Sequence, residues 1–175
     1  RRAPPRLQSG PVDPGAQVAE QGMGGPAVLV GWREWLALPD FGIAAIKAKV
    51  DTGARSSSLH VERLEEFQRD GARWVRCEIL PSSRRRKRPP ACEAPVLDER
   101  PVTDSSGDRR MRLFIRTRVA IGTHAFEIEM NLTSRRGMLF PMLLGRTALA
   151  GRMCVDPAQS YLLGRPRARR ARSPA

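Results

Sequence analysis

At 175 residues and a formal net charge of +13, the chain is one domain, or one domain with tails, with a surface that attracts anions. A hydrophobic share of 41% suffices for a core, although aromatic residues make up only 5%. No apolar run approaches the ~20 residues a membrane-spanning helix needs, and Cys77, Cys92 and Cys154 form an odd, sparse set that argues against a disulfide scaffold and fits a reducing, cytoplasmic location.

In chain order, residues 1–26 are rich in Pro, Gly and Gln and read as a flexible lead. The first residue is Arg1 rather than Met, which leaves room for a removed signal peptide. Order is expected from Ala27 onward, with the main domain over 27–164. Trp32 to Leu38 ends at a Pro39-Asp40 turn, and Ile43 to Val50 reads as a strand. Leu59 to Phe67 and Trp74 to Leu80 flank Asp70-Gly71, a hairpin signal. Residues 81–100 are rich in Pro and Arg and read as a loop insertion. Met111 to Ile121 and Ala125 to Leu132 alternate around Gly122-Thr123, a second hairpin. Met142 to Leu144 reads as a short buried strand, and Arg146 to Leu149 as a helical turn. Met153 to Val155 and Tyr161 to Leu163 read as final strands around Asp156-Pro157. Residues 165–175 form a basic tail. It and Arg84 to Arg88 are charge runs of the kind usually solvated. Many short strands with tight turns make the chain mainly β, a small closed barrel-like sheet.

The most informative stretch is Asp51-Thr52-Gly53-Ala54 at the end of an apolar strand, with Met142 to Leu144 and Gly145-Arg146 much later. A carboxylate on a Thr-Gly turn is half of what carboxylate-driven amide hydrolysis needs. Two acids sharing one proton split their pKa values, so one acts as base and the other as acid. Gly53 permits a tight turn, the Thr52 hydroxyl can brace a matching turn, and Ala54 leaves room for a peptide backbone. Only one such turn is present, so the second acid has to come from a second copy. An Asp in an ordinary turn is the plainer alternative.

In this order of elements the chain resembles the retropepsins, single-Asp proteases that work as dimers. It more closely resembles a bacterial family of retropepsin-like proteins often labelled ATP-dependent zinc proteases. The matching residues are Gly31-Trp32-Arg33-Glu34-Trp35, Lys47 to His60, Asn131 to Arg135, Met138 to Arg146 and Val155-Asp156-Pro157. The resemblance implies a mainly β retropepsin-like barrel with a flap hairpin and one short helix. It implies an aspartic peptidase acting as a homodimer, with Asp51 catalytic and Thr52 and Gly53 in support. Ala54, Arg55, Ser105, Gly107 and Arg135 are the expected substrate-binding residues, and Gly145 and Arg146 the structural ones. The flap tip is expected at Thr103 to Gly107, where a plain surface turn is the alternative.

No cofactor and no metal are expected. His60 and His124 lack paired ligand spacing, and no Gly-rich phosphate cradle is present. ATP dependence then belongs to a partner, an ATP-grasp ligase that adds glutamate tails to proteins, as the family's associations imply. The basic Arg55, with Arg112, Arg116, Arg118, Arg135 and Arg136, suggests a positive cleft for an acidic peptide or glutamylated protein. Two other readings stand beside it. One is a basic nucleic-acid- or ribosome-binding module, favoured by charge but not by the few aromatics. The other is a catalytically idle peptide-binding protein of the same fold.

Overall fold

Alternating burial along short segments, rather than long helical periods, builds the computed structural model, which describes residues 27–79, 91–104, 106–134 and 139–166. In chain order these hold β1 (Val28–Gly31), β2 (Arg33–Leu38), a 3-10 turn (Pro39–Phe41), β3 (Ile43–Asp51), β4 (Ser57–His60), β5 (Arg63–Arg69) and β6 (Ala72–Glu78). There follow β7 (Ala91–Thr103), β8 (Arg109–Ile121), β9 (His124–Thr133), β10 (Met142–Gly145), α1 (Arg146–Leu149) and β11 (Met153–Asp156).

In β2 the residues Glu34, Leu36 and Leu38 point inward while Arg33, Trp35 and Ala37 lie at intermediate depth, the period-two pattern of a strand. Thr117, Val119 and Ile121 of β8 alternate inward against outward Arg116 and Arg118. The strands run β2-β3-β10-β4-β9-β8, and a pairing of Ala37 with Ala120 joins β8 back to β2. This ring of strands encloses Leu36, Ile46, Leu59, Ile115, Met130 and Leu144, all fully buried. The fold is thus mainly β, as expected, with its strands joined into a ring. Beyond the ring, β7, β6 and β5 continue the sheet outward as an arm. A separate parallel pair joins β1 to β11.

The two expected hairpins form. Asp70 and Gly71 both adopt positive φ (51° and 75°), the mirror-image turn that matches strand twist. Ile121 pairs with His124 across Gly122-Thr123.

Several expectations are corrected. The stretch 81–100 is not all loop: from Ala91 it is strand, antiparallel to both β6 and β8, while 81–90 lie outside the described residues. Leu59 and His60 do not belong to the first hairpin. They sit in β4, parallel to β9 and antiparallel to β10, and only Arg63–Arg69 pairs with β6. Tyr161 to Leu163 is a turn rather than a strand, with Tyr161 at φ 57°. Its place is fixed by the buried Glu34 carboxylate, which accepts from Leu162 N–H (2.9 Å), Leu163 N–H (3.4 Å) and Gly31 N–H (2.8 Å). Finally, Cys77 and Cys92 face each other across β6 and β7 and are joined in a disulfide, Cα to Cα 5.3 Å. Exposed Cys154 remains free. The cysteine count therefore gives no support to a reducing compartment. Among the described residues no helix is long and apolar enough to cross a membrane.

Candidate active site

Asp51 is the last residue of β3, opposite Gly145 in the parallel pairing with β10. The chain then curls back so that Gly53 N–H (3.0 Å) and Ala54 N–H (3.1 Å) both donate to Asp51 Oδ1. A Cβ on residue 53 would stand 3.3 Å from that oxygen, so the missing side chain keeps the approach open. The other oxygen, Oδ2, accepts from Lys49 Nζ at 3.0 Å. Burial pushes the Asp51 carboxyl up, but the Lys49 ammonium and the Ala54 and Gly53 N–H groups outweigh it and hold it below its ordinary value.

The turn is anchored from behind by the Gly-Arg motif. Arg146 N–H donates to Ala54 C=O (2.9 Å) and Thr147 N–H to Arg55 C=O (3.1 Å). Gly145 N–H donates to the buried Ser57 hydroxyl at 3.1 Å. A Cβ on Gly145 would lie 2.5 Å from the Ser56 carbonyl carbon, so only glycine lets β10 press this closely on the chain leaving the turn.

Asp51 opens into a cleft of about 1450 Å³. Trp32 and Phe140, packed edge to face at 5.8 Å between ring centres, line one part of it. Arg100, Arg112 and Arg116 line another. There Arg100 bridges Asp98 (2.7 Å) and Glu129 (2.8 Å), and Arg116 also reaches Glu129 (3.2 Å). Arg112 donates to Asn131 Oδ1 at 3.1 Å. Asn131 is fully buried and ties β8 to β4, taking a bond from the Ser58 hydroxyl (2.8 Å) and giving one to Ser57 C=O (2.8 Å). Thr103 and Asp104, at the β7–β8 hairpin tip, also border the cleft. Asp104 Oδ1 accepts from Ser106 N–H (3.0 Å) and Asp108 N–H (3.2 Å), which shapes that tip.

Of the residues expected at the site, Asp51, Gly53, Ala54, Arg55 and Arg146 share the cleft. Thr52 is exposed beside it, and Gly145 lies buried beneath. Gly107 stands at the hairpin tip with φ 90°, outside the cleft lining. Ser105 and Arg135, with Arg136, lie outside the described residues. Arg118 does not line the cleft: its guanidinium is bound to Asp40, at 2.8 Å from Nε. Neither Arg55 nor Arg146 has a carboxylate partner among the described residues. The expectation missed Lys49. Its signal was available, because residues two apart on a strand share a face and Lys49 precedes Asp51 by two. Asn131 also went unassigned, although a lone Asn among apolar neighbours on an inward strand position calls for buried partners. Among the described residues no group of three His, Cys, Asp or Glu is placed to hold a metal. His60 is buried in β4 and His124 exposed at a turn.

A family model described as the retropepsin-like aspartic endopeptidase RimB matches residues 29–166. A probable alpha-L-glutamate ligase of Shewanella halifaxensis is 42% identical over 136 residues, which cover 78% of this chain and 30% of that one. One of the same name from Parasynechococcus marenigrum is 44% identical over 137 residues, 78% of this chain and 29% of that one. The chain thus spans under a third of the length of the relatives it matches. A crystal structure of a Legionella pneumophila protein described as of unknown function superposes with TM-score 0.65 at 26% identity, covering 78% of this chain and 98% of that one.

Proposed function

The chain belongs to the RimB-like family of retropepsin-like aspartic endopeptidases, and we propose that it hydrolyses peptide bonds with a pair of Asp51 carboxylates, one from each of two copies. The observation that carries this reading is the Asp51 turn. One carboxylate oxygen is held by two backbone N–H groups, the second by the Lys49 ammonium, and the residue lines the cleft. A lone carboxylate can activate water or polarise a carbonyl, but not both at once. Two of them close together share a single proton and titrate as a unit. The ionised member takes a proton from water as the water oxygen bonds to the carbonyl carbon. The protonated member gives its proton to the carbonyl oxygen. As the diol collapses and the C–N bond breaks, the protonated carboxyl gives its proton to the leaving nitrogen while the ionised one takes a proton from a diol hydroxyl, which restores the starting dyad. In this reading exposed Thr52 braces the partner's turn, and the β7–β8 hairpin covers an extended peptide held like an added strand.

The substrate class we infer is an acidic peptide, in particular a glutamate tail. Arg55 and Arg146 border the cleft without carboxylate partners among the described residues, which suits an incoming anion. The relatives named probable alpha-L-glutamate ligases carry a segment like this one in under a third of their length. A hydrolase beside a ligase that forms glutamyl amide bonds supplies the reverse reaction, so an ATP-grasp ligase is the partner we infer. Cleavage of a glutamate-tailed peptide by the full chain, and its loss in Asp51→Asn with the fold intact, is the expected result. No cleavage of any acidic or neutral peptide at concentrations where the protein is dimeric would contradict the reading.

A further inference from the structure

Lys49 is in bonding contact with the carboxylate on which the proposed reaction depends, Nζ to Oδ2 3.0 Å, and it lines the same cleft. Its side chain is 48% exposed, whereas that of Asp51 is 23% exposed. In this arrangement every bond to Asp51 comes from a donor: Lys49 on one oxygen, Gly53 and Ala54 on the other. Such a carboxylate is held ionised. Two carboxylates in that state cannot share a proton, so Lys49 has to move aside before a dyad can work.

Neither strand partner of Lys49 is acidic. Across β2 it faces Arg33, which is bonded to the Ser160 hydroxyl (3.1 Å) and stacked on Trp32 and Tyr161. Across β10 it faces Leu143. Of the acids that line the same cleft, Glu129 is held by Arg100 and Arg116, Glu127 faces Arg118 across β8 and β9, and Asp104 is bonded into its hairpin tip, so an anion brought by a ligand is the one left to take the ammonium among the described residues.

Resting on the peptidase reading, we propose that Lys49 is a specificity residue that leaves Asp51 for a carboxylate carried by the substrate beside the scissile bond. An acidic side chain at that one position gains an ion pair and at the same time frees Asp51 to share a proton. A neutral side chain does neither, and Lys49 stays on Asp51. Selection for acid and readiness for catalysis are thus joined in one side chain, distinct from the general attraction exerted by the arginines.

The test uses the full chain and glutamine hexapeptides carrying one glutamate at each position in turn. Binding is measured by calorimetry in the Asp51→Asn background, where no peptide is cleaved, and kcat/KM in the Asp51 protein. With Lys49 present, one glutamate position gives about tenfold or more tighter binding than the all-glutamine peptide, the scale of one charge-assisted bond. Lys49→Met removes the gain at that position only, and Lys49→Arg retains part of it. In the Asp51 protein, Lys49→Met lowers kcat/KM for that glutamate peptide and raises it for the all-glutamine peptide. A preference that survives Lys49→Met, or one that falls alike at all positions, overturns the proposal. The latter result would mean that Lys49 bridges the two Asp51 residues or adds only to the general field. Failure of the Asp51 protein to cleave anything refutes the peptidase reading, while the binding arm still decides whether Lys49 reads a substrate carboxylate.

Discussion

Gly145→Ala places a single methyl group where the account says none fits. The added carbon would stand 2.5 Å from the Ser56 carbonyl carbon, 2.6 Å from its oxygen and 3.0 Å from Ser57 N. All three are backbone atoms, so relief needs the chain leaving the Asp51 turn to shift by about 1 Å to reach ordinary contact. Overpacking of that kind costs about 1–3 kcal/mol. The same shift stretches the bonds from Gly145 to Ser57, Arg146 to Ala54 and Thr147 to Arg55, which run 2.9–3.1 Å and contribute about 1 kcal/mol each when intact. A loss of about 3–5 kcal/mol is expected, which lowers Tm by about 10 °C for a domain of this size. Urea unfolding followed by the fluorescence of Trp32, Trp35 and Trp74 measures it. Because the displaced segment carries Asp51, kcat is expected to fall by about a hundredfold in the fraction that stays folded. A variant within 0.5 kcal/mol of the parent and fully active would refute the claim that the Gly-Arg strand sets the position of the turn.

Asp51→Asn is expected to abolish hydrolysis while leaving the unfolding curve close to that of the parent, measured side by side on one preparation. Thr52→Ala is expected to weaken the dimer and the rate together, seen as a coupled shift in sedimentation and in the protein-concentration dependence of activity. The Arg118 guanidinium, with the Arg118 N–H and the Thr117 hydroxyl, holds the Asp40 carboxyl below its ordinary value against the upward push of burial. A carboxyl depressed in the folded state stabilises above its unfolded value and loses that contribution as pH falls through the folded one. Asp40→Asn should therefore cost about 1–2 kcal/mol at pH 7, and the gap should close as pH falls through the depressed folded-state value; a gap that stays constant as pH is lowered into the acid range would contradict the assignment. Raising salt should lower kcat/KM for a glutamate-tailed peptide and leave a neutral peptide nearly unchanged; equal rates with no salt effect would count against an acidic substrate. If the +13 charge serves RNA binding instead, a steep salt-dependent affinity for RNA should persist in Asp51→Asn without any peptide cleavage.

The features legible in the sequence are those written in neighbouring residues. Asp70-Gly71 and Gly122-Thr123 announce their hairpins because positive φ and strand alternation are local properties. The Asp51-Thr52-Gly53 turn is legible for the same reason. What depends on pairing between distant segments was misread. His60 and Leu59 continue smoothly into Val61, and nothing local says that their partners are β9 and β10 rather than β6. Residues 91–100 carry the Pro and charged residues of a loop, yet they form a strand because β6 and β8 flank them and their charges pair outward, as Glu93 does with Arg76 at 2.8 Å. The Cys77–Cys92 bridge is invisible until the two strands are set in register. At the site, residue types pointed to the carboxylate and the Gly-Arg motif. They did not separate Arg112 and Arg116, which line the cleft, from Arg118, which lies further along the same face of β8 and is bound to Asp40.

Whether two Asp51 carboxylates work as one centre is tested most directly by mixing. Parent and Asp51→Asn chains, unfolded together and refolded at known ratios, form both parental dimers and the mixed one. Activity should fall as the square of the parent fraction, because only dimers with both acids can share a proton. A linear fall, or activity that persists where scattering finds single chains, would contradict the shared centre.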